Sequence, residues 1–187
     1  MTVIAALRTA DRVWMAGDTG SFDGFGTLWP NPHKVFATTM AGEAVVVGTS
    51  GRSALGAMIR YDLTIDTVPG PDDADAWAHA VAEAITEMAY HRKITRKDDS
   101  SSIDGTALFA WRDRLWAISD RLALPIEDFA AIGSGNEVAL GAMEVTWHEG
   151  MSEDSAKWVV TRAAQAACRW EESCREPVVV CCTEPAP

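Results

Sequence analysis

Three features of the chain have residue types that hydrolytic chemistry uses. The first is a hydroxyl at position 2: a methionine followed by a small residue is a usual substrate for trimming, so loss of Met1 would make Thr2 the first residue. A free α-amine has an ordinary pKa near ~8 and can take the proton of the Thr2 hydroxyl, which puts base and nucleophile in one residue. A small second residue is common, however, and alone it usually carries no role. The second feature is Asp18, at the end of an apolar run, with Lys34 opening another. Held beside the N-terminus they would form a cation fixed by a carboxylate, favouring the deprotonated hydroxyl and amine. On spacing alone, a turn-capping Asp and a solvent-facing Lys is the stronger reading. The third is a pair of turns, Gly48-Thr49-Ser50-Gly51 and Gly133-Ser134-Gly135, each between an apolar strand and a helix. Backbone amides at such turns can face a developing oxyanion, although G-S-G is more often an ordinary connection.

Chemistry at these positions needs elements that bring them together. Residues 3–7 and 12–16 are apolar runs on either side of Thr9-Ala10-Asp11, a hairpin closed by Gly17-Asp18. Residues 21–32, rich in Gly, Pro and Asn, read as a loop. Residues 34–37 and 43–47 form a second hairpin turning near Ala41-Gly42. Leu55, Met58 and Ile59 then share a helix face. Beyond a loop at Pro69-Gly70-Pro71, Trp77, Val81, Ile85 and Met88 form a longer stripe, with Asp72, Asp73 and Asp75 near its N-terminal end. Residues 91–102 are polar and read as a solvated connection. Residues 106–111 and 115–119 pair across Arg112-Asp113-Arg114, and residues 130–132 lead through Gly133 to a helix carrying Val138, Ala139, Ala142 and Met143. Ser152 caps a long helix with Ala156, Val159, Ala163 and Ala167 facing inward, and residues 178–182 are a last strand. Strands in blocks and helices in pairs predict stacked layers, with helices covering two sheets. Without an internal repeat or linker, 1–187 reads as a single domain.

Composition narrows the partners. A formal net charge of -11 argues against nucleic acid or an anionic membrane. There is no apolar run of about 18 residues, and the first residues lack the pattern of a signal peptide, so a cytoplasmic location is expected. Cys168, Cys174, Cys181 and Cys182 match neither zinc spacing nor a disulfide framework and read as buried thiols. His33, His79, His91 and His148 are scattered, so no metal site is expected, and the eight tryptophans read as core or subunit-contact residues.

Taken together, the chain resembles the proteasome β-subunit family, most closely its bacterial HslV-type branch. The resemblance runs from Thr2 to about Arg169 and rests on four segments in order: residues 2–8, residues 13–19, His33-Lys34-Val35, and residues 125–135. It implies an α+β fold, the four-layer α-β-β-α sandwich of the N-terminal-nucleophile hydrolases. It also implies Thr2 as nucleophile, Asp18 and Lys34 as the charge pair beside it, Ser134 bonding near the α-amine, and Ser50 and Gly51 in the oxyanion turn. The resemblance further implies a threonine-type endopeptidase without cofactor or metal, acting on peptides or unfolded proteins inside a homo-oligomeric ring, with an unfoldase ATPase as a partner.

Two positions depart from the family pattern. Ser173 stands as the hydroxyl after the last long helix, but Trp170 occupies the place of the carboxylate three residues earlier. Arg52 replaces the small residue usual after the oxyanion turn, while Gly48 leaves room on the pocket floor. An Arg52 wall would favour acidic substrate side chains; pairing of Arg52 with a neighbouring acid is an equal reading. Two rivals to the peptidase also stand: a silent assembly subunit that retains Met1, and an amidase acting on a small molecule.

Overall fold

The computed structural model describes residues 2–22, 28–31, 33–67 and 73–185. Met1, part of the expected 21–32 loop, Pro69-Gly70-Pro71 and Asp72 lie outside the described residues. In chain order the elements are β1 (Ile4–Arg8), β2 (Val13–Asp18), β3 (Gly20–Phe22), β4 (Leu28–Pro30), β5 (Val35–Met40), β6 (Glu43–Gly51), α1 (Ser53–Tyr61) and α2 (Ala74–His91). There follow β7 (Gly105–Trp111), β8 (Arg114–Ser119), β9 (Leu122–Ile126), β10 (Phe129–Ile132), α3 (Asn136–Glu144), α4 (Glu153–Trp170) and β11 (Val178–Cys182).

Period-2 patterning explains how these elements stack. A strand with apolar residues on both faces must be covered on both. Val3, just ahead of β1, and Ala5 and Leu7 within it pack with Ala139, Met143, Val160 and Ala163 of α3 and α4. The intervening Ile4 and Ala6, with Val13 and Met15 of neighbouring β2, meet Val46 and Leu108 from the other sheet. On that second sheet, Val45, Val47 and Phe109 turn outward to Leu55, Met58, Trp77, Val81 and Ile85 of α1 and α2. The result is a four-layer α-β-β-α arrangement. One antiparallel sheet has the order β10-β1-β2-β11, the other β5-β6-β7-β8-β9. The helix stripes bury their alternate turns as the spacing predicts, and Ser152 caps α4 by accepting from the Ser155 amide at 3.3 Å. The β5–β6 hairpin turns on Ala41 and Gly42, both at positive φ (53° and 84°), as a tight two-residue turn requires.

Two segments differ from the sequence expectation. The 21–32 stretch holds strand residues of β3 and β4, which pair antiparallel. Strands of three residues leave no alternation to read. Strand β9 contains Pro125 and exposes Leu122 and Leu124, and it forms the edge of its sheet, the place where a strand tolerates proline. Of the four cysteines, only Cys174 is fully buried, the others are half-buried, and all are free thiols. Trp77, Trp111 and Trp116 are core residues, whereas Trp29, Trp158 and Trp170 are exposed.

Candidate active site

Thr2 enters β1 with both backbone polar groups fixed. Its carbonyl accepts from the Gly135 amide at 3.1 Å, and its nitrogen donates to Ser134 Oγ at 3.2 Å. The adjoining Val3 amide donates to Asp18 Oδ1 at 3.0 Å, while Val3 O accepts from the Asp18 amide at 3.2 Å. The Gly133-Ser134-Gly135 turn therefore holds Thr2 through the Gly135 amide, the group that the sequence offered to an oxyanion. Gly133 sits at φ +93°, and a Cβ there would collide with the Thr2 carbonyl. Gly133→Ala should cost about 2–4 kcal/mol from the left-handed backbone and overpacking, read as a lowered denaturation midpoint.

Strand β2, hydrogen-bonded on both sides by β1 and β11, delivers Asp18 at its end. Its carboxylate is fully engaged. Oδ1 accepts from Lys34 Nζ at 2.8 Å and from Val3 N, and Oδ2 accepts from the amides of Gly20 at 3.0 Å and Arg175 at 3.1 Å. Lys34, just ahead of β5, is held in turn by the Thr49 amide, which donates to its carbonyl at 2.8 Å. Both charges are buried, with side chains 0% and 6% exposed. Burying an ion pair at this depth demands such complete hydrogen bonding.

Thr2, Lys34, Thr49, Gly51, Arg52 and Asp104 line one cleft of about 510 Å³. Gly51 has φ +96°, and a Cβ there would meet Gly105 Cα at 2.5 Å, so glycine permits the close approach of β7. Ser50 is nearly buried beside it, its hydroxyl donating to the Thr106 carbonyl at 3.5 Å. Gly48 does not belong to the cleft floor. A Cβ at Gly48 would meet Ile4 Cγ2 at 2.5 Å and Met15 Sδ at 2.6 Å, which puts it in the sheet-to-sheet core. One residue along the strand, Thr49 faces the cleft instead, as the two-residue period dictates. Arg52 reaches the cleft wall, but its guanidinium donates to the Lys93 carbonyl at 3.0 Å, and no acid pairs with it among the described residues.

The carboxylate missing at Trp170 is supplied by Glu171. Chain direction changes at this residue, the C-cap of α4, with ψ 111°. Glu171 Oε1 thereby accepts from Ser173 Oγ at 2.6 Å and Ser173 N at 3.3 Å, while Trp170 stays exposed. Ser173 Oγ lies 2.8 Å from Ser134 Oγ, which closes a chain of hydroxyls from Glu171 to the Thr2 nitrogen. The Ser173 hydroxyl, then its amide, hold the Glu171 carboxyl below the usual carboxylate range. A depressed carboxyl stabilises the fold above its unfolded pKa, and that contribution fades as pH falls through the folded value. Glu171→Gln should therefore flatten the acid side of the stability–pH curve below about pH 5, measured by thermal unfolding across pH. Cys174 follows the same turn, and burial, with the Asp18 charge adding to it, pushes its thiol up to about 11. At neutral pH it stays protonated and offers no rival nucleophile. Among the described residues, no group of three or more His, Cys, Asp or Glu is placed to hold a metal ion, and no helix is long and apolar enough to cross a membrane.

A family model described as Proteasome subunit matches residues 120–182. No curated protein matches the chain. Solved structures do. BPH of Thiobacillus denitrificans is 22% identical, covering 99% of each chain with a TM-score of 0.79, and is also solved in complex with epoxomicin. The helical assembly of the Anbu complex from Pseudomonas aeruginosa is 18% identical over 98% of this chain and 81% of that one, at a TM-score of 0.74. HslV from Trypanosoma brucei is 17% identical over 97% and 99%, at 0.65. The family-model match thus covers about a third of the chain, and across nearly its whole length the chain shares the fold of these proteasome-like structures.

Proposed function

We propose that the chain is a threonine-type endopeptidase whose nucleophile is Thr2 once Met1 is gone. The observation that carries this reading is Thr2 itself, 3% exposed and lining one cleft with Lys34, whose ammonium is fixed by the buried Asp18. With Met1 removed, the Thr2 nitrogen becomes an α-amine that accepts the Oγ proton, directly or through a water. Thr2 Oγ attacks the peptide carbonyl, and the oxyanion is met by the amides of the Ser50-Gly51 turn. The protonated amine then gives its proton to the leaving amine as the C–N bond breaks, leaving an ester on Thr2. A water deprotonated by the same amine hydrolyses that ester and frees the enzyme. Lys34 keeps positive charge beside the reacting oxygen, and Ser134, backed by Ser173 and Glu171, fixes the nitrogen that shuttles the proton. Solved relatives with this fold include a helical assembly, which supports an oligomeric working state; a closed homo-oligomeric ring fed by an unfoldase ATPase is the form proposed here.

Intact mass before and after incubation with epoxomicin tests the reading. The expected result is a chain that begins at Thr2 and gains the mass of one inhibitor. A chain that keeps Met1 and takes no adduct would refute the peptidase and leave the silent assembly subunit.

A further inference from the structure

Beyond Thr2 the cleft continues into a second hollow of about 450 Å³ alongside α1. The two share Ser21, Asn31, Thr49, Ser53 and Ala54. The chain as a whole carries 27 acids against 16 Lys and Arg. Its cleft reverses that balance: among the described residues the two hollows are lined by Lys34, Arg52 and Arg60, with Asp104 as the sole acid. Lys34 bonds to Asp18, and Arg52 to the Lys93 carbonyl. Arg60 is different. Its guanidinium carbon lies 5.6 Å from the Phe36 ring centroid and 5.2 Å from that of Tyr61, and its buried Nη1 has no hydrogen-bond partner among the described residues. Aromatic rings engage the face of a guanidinium, whereas its N–H groups point outward in the plane and need acceptors. A buried donor without an acceptor is costly, and a planar carboxylate is the group that best relieves it. The start of α1 adds to the same field, having no acid in its first turn and no side-chain cap.

We propose that this hollow receives an Asp or Glu side chain of the substrate, next to the carbonyl that Thr2 attacks, with Arg60 as the specificity-determining cation. The inference rests on the peptidase reading of Thr2. It moves the acidic preference expected from Arg52 to an arginine one helix-length further on. Trp29 and Tyr61, both exposed at the rim, give apolar walls for the methylenes of a Glu stem.

Fluorogenic peptides identical except for Glu, Leu or Arg before the scissile bond test it, on protein beginning at Thr2. The expected kcat/KM for the Glu peptide is at least ~10-fold above Leu and ~100-fold above Arg, narrowing as salt is raised. Arg60→Gln should lower Glu cleavage at least ~10-fold while changing Leu cleavage less than ~3-fold, and Arg60→Lys should restore part of the preference. Leu and Glu peptides cleaved equally by the wild type, or both lowered alike in Arg60→Gln, would overturn the inference and leave the peptidase reading standing. The wild-type comparison decides even if Arg60→Gln fails to fold. No cleavage of any peptide, with no epoxomicin adduct on Thr2, would remove the peptidase reading and this inference with it.

Discussion

Replacing Thr2 by alanine lowers peptide hydrolysis by at least ~10³-fold while leaving folding and assembly intact. The two halves of this expectation come from different atoms. Hydrolysis needs Oγ, which alanine lacks. Position is held by the backbone: the Gly135 amide on the Thr2 carbonyl and the Ser134 hydroxyl on the Thr2 nitrogen, both of which alanine keeps. Thr2→Ser, which retains a hydroxyl, should keep measurable turnover and serves as the control. Fluorogenic peptide assays with size-exclusion profiles of each variant check both halves. Undiminished turnover in Thr2→Ala would move the nucleophile elsewhere.

The second large effect separates the members of the buried pair. Asp18→Ala removes the carboxylate to which the Lys34 ammonium donates and also the acceptor of the Val3, Gly20 and Arg175 amides. Breaking such a pair from one side costs about 3–5 kcal/mol. Lys34→Ala leaves Asp18 with its three amide donors, so its stability loss should be the smaller of the two. Its loss of turnover should still be about 10²–10⁴-fold, because the charge beside Thr2 is gone. Urea unfolding ranks the two stabilities, and kcat/KM reports the turnover. A Lys34→Ala protein as active as wild type would take Lys34 out of the chemistry. An Asp18→Ala protein more stable than Lys34→Ala would show that the amide shell around Asp18 contributes little.

The layers were legible because their periods are clean. Trp77, Val81 and Ile85 lie on one buried helix stripe, and β1 and β2 carry apolar residues on both faces, which only a doubly covered sheet accommodates. Strand β9 was hidden by Pro125 and by two exposed leucines, because an edge strand obeys neither rule that marks a central one. Within the candidate site, Asp18, Lys34 and Ser134 lie around Thr2; spacing alone favoured a turn-capping Asp and a solvent-facing Lys, and only the family resemblance drew them together. Gly48 was misplaced by one step of the two-residue period, which is enough to move a residue from the cleft to the core. Glu171 was missed for a different reason. Counting back three residues from Ser173 assumes helical spacing, but the chain leaves the helix at Glu171, and an extended turn brings the residue two positions back onto the hydroxyl. Arg60 had no sequence signal, since a lone arginine ending an amphipathic helix resembles any solvated one.

Backbone bonds of Thr2 run across to Ser134 and Gly135, and those of Val3 to Asp18. On the peptidase reading, a cut ahead of Thr2 would add a charge to a residue that these bonds already hold in place. The inert precursor and the working enzyme would then differ in covalent terms by a single bond. Dormancy would be kept by blocking an amine in a finished site, so waking the protein would require no refolding and should proceed as fast as the trimming itself.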